Sequence, residues 1–71
     1  MKIKEERITK AADKLGITLE SVNISQSSVI VISKRYTPTT LRIVNDTIKV
    51  EFLSVEVTEI DRLKIYFKII K

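Results

Sequence analysis

Residues 41–50 read LRIVNDTIKV, and the conformation of this stretch decides how the chain is organised. Leu41, Ile43, Ile48 and Val50 fall at alternate positions on either side of Asn45-Asp46. Asn and Asp tolerate positive φ, as a tight two-residue hairpin turn requires. The spacing therefore predicts a hairpin with Ile43 opposite Ile48 and Leu41 opposite Val50. Arg42 and Lys49 then oppose each other on the other face. Like charges in that position repel unless Glu51 or a bound anion relieves them.

Toward the N-terminus the alternation continues. A strand at 28–34 turns at Arg35 to Pro38, setting Ile32 against Leu41 and Ile30 against Ile43, so that Ile30 and Ile32 face the core. A weaker strand at 21–24 pairs with it across Ser25 to Ser28. Val29, Ile30, Val31 and Ile32 are apolar at four successive positions, whereas a sheet with one wet face should alternate. Val22, Ile24, Val29, Val31 and Val44 thus form a second apolar face, covered by the chain's own helix or by a protein partner, a second copy or an accessory subunit.

Toward the C-terminus the last hairpin turns around Glu59-Ile60-Asp61. A three-residue loop sets Val57 against Leu63, Val55 against Ile65, Leu53 against Phe67 and Glu56 against Lys64. The inward parity switches between Phe52 and Val55, which one extra residue in a β-bulge near Phe52, Leu53 and Ser54 explains. Glu51 comes near Lys68.

Before Gly16 the period is helical. Ile8, Ala11, Ala12 and Leu15 follow the i, i+3, i+4, i+7 spacing of one apolar stripe, which predicts a helix at 4–15. Gly16 stands where a left-handed residue closes a helix. The expected fold is a single α+β domain over 1–71: an N-terminal amphipathic helix, then a four- or five-stranded antiparallel meander at 21–24, 28–34, 39–44, 47–57 and 62–70. The bend at the bulge allows the sheet to curl into a small barrel.

The composition removes several classes of function. With no Cys and no His among 71 residues, disulfides, thiolate or imidazole metal sites and a His general base are absent. A single Gly leaves no Gly-rich phosphate loop, and Ser21, Ser25, Ser27 and Ser28 have no His to activate them. The expectation is a protein that is not an enzyme and carries no cofactor. No apolar run reaches the roughly 20 residues of a membrane span, and MKIKEER puts charges where a signal peptide is apolar. This predicts a cytoplasmic protein with no membrane partner. Richness in Ile, Lys and Glu with one Gly and one Pro leans toward a thermophile.

Thirteen Lys and Arg against nine Asp and Glu give a formal net charge of +4, and net positive charge attracts phosphate. Lys34, Arg35, Arg42 and Lys49 are the least neutralised basic cluster. Lys64, Tyr66 and Lys68 alternate with apolar residues along the last strand, so they share its outer side, where Tyr66 could stack on a base. These seven residues predict a nucleic-acid-binding module, for DNA or RNA, with little base specificity. The competing expectation is a protein–protein module using the valine face. A third is a helix-turn-helix regulator: Ala12, Gly16 and Val22 have spacings resembling that motif, with Thr18 to Gln26 as recognition helix.

Overall fold

The computed structural model describes residues 2–59 and 61–70. Two helices and four strands follow one another as α1 (Lys2–Lys14), β1 (Leu19–Ile24), β2 (Ser28–Ser33), α2 (Pro38–Thr47), β3 (Val50–Glu59) and β4 (Arg62–Ile69). The strands form one antiparallel sheet in the order β1-β2-β4-β3, with β1 and β3 as its two edges; it does not close into a barrel.

The expected N-terminal helix and antiparallel sheet are present. The stretch at 41–50 is where the fold departs from the hairpin reading. Pro38–Thr47 is a helix, so the strand expected at 39–44 and the turn at Asn45-Asp46 do not exist. Its start is encoded in TPTT. Thr37 is the extended N-cap, Pro38 supplies a preset φ in the first turn, and the Thr37 N–H donates to Thr40 Oγ1 at 3.3 Å. Thr40, Ile43 and Val44 are buried and Thr47 half-buried, at the i, i+3, i+4, i+7 positions of one stripe. Asn45 Oδ1 then accepts the Val50 N–H at 3.0 Å, fixing where β3 begins.

This helix carries the chain across the sheet, and the order of strands changes with it. β2 pairs with β4 rather than with the segment that follows it, so Ile30 lies opposite Tyr66 and Ile32 opposite Lys64. The inward face of β2 is accordingly the reverse of the expected one. Val29 and Val31 are fully buried, while Ile30 and Ile32 are half-buried on the other side. Their partners in the core are Ile8 and Ala12 of α1, Ile43 and Val44 of α2, and Ile65 and Phe67 of β4. The second apolar face is thus covered by the chain's own helices. Val29, Val31 and Val44 are buried in that core, and Val22 and Ile24 pack against it.

Elsewhere the expected local pairing is found. β1 meets β2 with Val22 opposite Val31 and Ile24 opposite Val29. β3 meets β4 with Val57 opposite Leu63, Val55 opposite Ile65 and Glu56 opposite Lys64. The register shifts between Phe52 and Ser54, and Phe52, not Leu53, lies opposite Phe67. Beyond Val57 a second shift brings Glu59 opposite Arg62, and Asp61 takes a φ of 65°. Ile60, part of the expected turn, lies outside the described residues.

The end of α1 follows its sequence. Gly16 has φ 76°, its N–H donates to Asp13 O, and the Ile17 N–H reaches back to Ala12 O at 2.9 Å. This paired closure satisfies carbonyls the last turn would leave open. No atom lies within 4 Å of where a Cβ on Gly16 would stand, so backbone angle and not crowding calls for glycine. Leu15, expected in the apolar stripe, is 60% exposed because the helix has ended at Lys14 and the chain is already turning.

Candidate nucleic-acid interface

The structure divides the seven expected contact residues between two surfaces. Lys64, Tyr66 and Lys68 lie on the side of β4 opposite its buried Ile65 and Phe67, on the helix-free face of the sheet. Arg42 is exposed on α2, whose other side packs into the core covering the opposite face. Lys34 and Arg35 are exposed in the loop between β2 and α2, and Lys49 in the link between α2 and β3. The cross-strand opposition of Arg42 and Lys49 does not exist, because neither sits in a strand.

The helix-free face is close to charge-balanced. Arg62 pairs with Glu20 at 3.2 Å, the one ion pair within bonding distance among the described residues. The Tyr66 hydroxyl donates to Glu56 Oε1 at 2.9 Å, and Lys64 Nζ stands 5.6 Å from the centre of the Tyr66 ring. Glu51 lies opposite Lys68 in the register. Tyr66 is therefore tied to its own neighbours at the hydroxyl and flanked by a cation at the ring.

The helical side is different. Residues 1–18 and 34–49 contain nine Lys and Arg against four Asp and Glu, whereas residues 19–33 and 50–71 contain four against five. The whole positive excess therefore belongs to the two helices and their flanking loops. On α1, Arg7, Lys10 and Lys14 are exposed at i, i+3 and i+7, a spacing that aligns them on the side away from Ile8 and Ala12. These three were not among the expected contacts. The signal was present, since the apolar stripe that faces the core also fixes which residues face out.

Where α1 ends, Gly16, Ile17 and Thr18 border a cleft of about 270 Å³ with Ser33, Lys34, Arg35 and Thr37. Its floor is satisfied internally: the buried Ser33 Oγ donates to Thr18 O at 3.2 Å and accepts the Arg35 N–H at 3.4 Å. No buried side-chain nitrogen or oxygen among the described residues lacks a partner. Nor does any group of three acidic, His or Cys side chains among them have the arrangement of a metal site. Leu19–Ile24 is strand β1, so no recognition helix follows Gly16 and the helix-turn-helix arrangement is not formed. Among the described residues no helix is long and apolar enough to cross a membrane.

Protein-family models, curated proteins and solved structures were all searched, and none matches the chain.

Proposed function

We propose that the protein is a small nucleic-acid-binding module that holds phosphates through its helical layer. The uneven partition of charge carries this reading: the helices and their loops hold nine basic and four acidic residues, and the sheet segments four and five. Arg42, Lys49, Lys34 and Arg35 act as phosphate contacts, with Arg7, Lys10 and Lys14 of α1 extending the basic surface. None of these seven has a carboxylate within bonding distance among the described residues. Lys64, Tyr66 and Lys68 play a lesser part, because acids on neighbouring strands offset them. Recognition through phosphates carries little sequence information, so base specificity is low.

Fluorescence anisotropy against labelled single- and double-stranded oligonucleotides at two salt concentrations tests this. Binding in the range of about 1–100 μM that weakens as salt rises is expected. Replacing Arg42 and Lys49 together by Glu flattens the salt dependence by about two phosphate contacts. Lys64→Glu, on the balanced face, changes it far less. No binding at low salt, or equal effects from the two surfaces, refutes the proposal.

A further inference from the structure

The helices do not cover the whole of the sheet. On the helix-bearing side, Val29, Val31, Ile65 and Phe67 are fully buried, but Val55 and Val57 of β3 are 38% and 74% exposed. Leu53, the extra residue at the shift in register, is 53% exposed. These apolar residues lie on an edge strand, whose outer backbone N–H and C=O groups have no partner strand among the described residues. β3, VEFLSVEVTE, has no Lys or Pro to guard it; beyond its bulge at Phe52–Ser54, Ser54–Val57 runs regularly opposite β4 with two exposed valines and Glu56 as its one charge.

The opposite edge is guarded. β1 has six residues against ten for β3, and Glu5 of α1 reaches its Ile24 N–H, accepting it at 3.0 Å. A β3-to-β1 contact between copies would be heterologous, giving a ring or an open filament rather than a two-fold pair; with β1 engaged by Glu5, β3 is the edge left to meet its own equivalent.

We infer that β3 is a homodimerisation strand, pairing antiparallel with β3 of a second copy about a two-fold axis at Val55. The occupant follows from side-chain complementarity. Opposed residues in an antiparallel pair share a face. With Val55 on its symmetry mate, Leu53 falls opposite Val57 and Ser54 opposite Glu56, so that the apolar row is continuous and Glu56 meets a hydroxyl. Shifting the axis to Glu56 would oppose two carboxylates, and a shift by one residue would set apolar side chains against the other face. A chain of 71 residues buries a small core, and a second copy is a common source of added stability at this size. The dimer is an isologous eight-stranded sheet.

Sedimentation equilibrium without nucleic acid tests the dimer independently of any binding activity. A mass that rises from one chain to two with concentration is expected. Val57→Lys, with Leu53→Asp as a second variant, raises the dissociation constant at least about tenfold, while far-UV circular dichroism still shows a folded chain and the thermal midpoint loses its dependence on protein concentration. The chain has no Cys, so single cysteines report the register cleanly. Val55→Cys forms a disulfide-linked dimer under mild oxidation, and Asn23→Cys, on the β1 edge, does not. A single-chain mass at every concentration overturns the inference. So does a dimer that ignores both β3 substitutions, or cross-linking through Asn23→Cys as fast as through Val55→Cys.

Discussion

The two edges of the sheet are made of similar residues and meet different fates. β1 lies under α1: Leu19 is buried, Val22 and Ile24 pack against the core, and the Ile24 N–H is held by Glu5. β3 starts under α2 at buried Val50 and then runs out from under it to Val57. Valine alone does not say whether a position is core or surface. What decides is whether a helix lies above it, and that depends on where the crossover helix is placed.

Substitutions along this gradient of cover should give a matching gradient of effects. Val31→Asp puts a charge where nothing can solvate it, so the cost should exceed about 4 kcal/mol. That is a large part of the stability of any small domain, and far-UV circular dichroism should show an unfolded chain. A folded Val31→Asp variant would mean that the helices do not seal this face. Glu5→Ala removes the acceptor on β1 and should cost about 1 kcal/mol in urea denaturation. It also leaves both edges open, so light scattering should show species larger than a dimer. Asn45→Ala frees the Val50 N–H where β3 begins and should cost about 1 kcal/mol by the same measurement. Val57→Thr, in the uncovered part of β3, should change monomer stability by less than about 0.5 kcal/mol.

The smallest effect concerns Tyr36, which stacks on Phe52 at 4.9 Å where cover thins out. Burial pushes its phenol above the ordinary 10.0, so the folded chain favours the neutral form. The sign follows: this contribution is intact below pH 10.0 and fades as pH rises through the folded-state value. Thermal midpoints should therefore fall less above pH 10.0 in Tyr36→Phe than in the parent chain. Equal falls would show that the ring is not sheltered.

Local pairing was legible because it rests on period-2 alternation and short turns. Val57 with Leu63 and Glu56 with Lys64 were readable, as were the pairing of the strand at 21–24 with the one that follows it and the bulge near Phe52. Non-local order was not. Residues 39–48 include Thr39, Thr40, Ile43, Val44, Thr47 and Ile48, β-branched side chains that favour strands. Their helical spacing and the Thr37-Pro38 start carried the better signal, and tertiary packing outweighed propensity. Once that helix was read as a hairpin, β2 acquired the wrong neighbour and Ile30 and Ile32 the wrong face. For the candidate site, the basic residues could be found but not sorted. Arg42 and Lys64 were both expected on strand faces, but Arg42 lies on a helix and a packed sheet stands between them.

The order β1-β2-β4-β3 also has a consequence for how the molecule is assembled. The last of the four strands in sequence is an inner one: β4 bonds to β2 on one side and β3 on the other, and those two do not bond to each other. A nascent chain lacking β4 can form only one hairpin and two helices with little to lie on. Closure of the core waits for an arrival that joins distant parts of the chain in one event, a topology that favours slow, all-or-none folding. Until then β3 has no partner on either side, and its exposed valines are most at risk of joining the wrong neighbour.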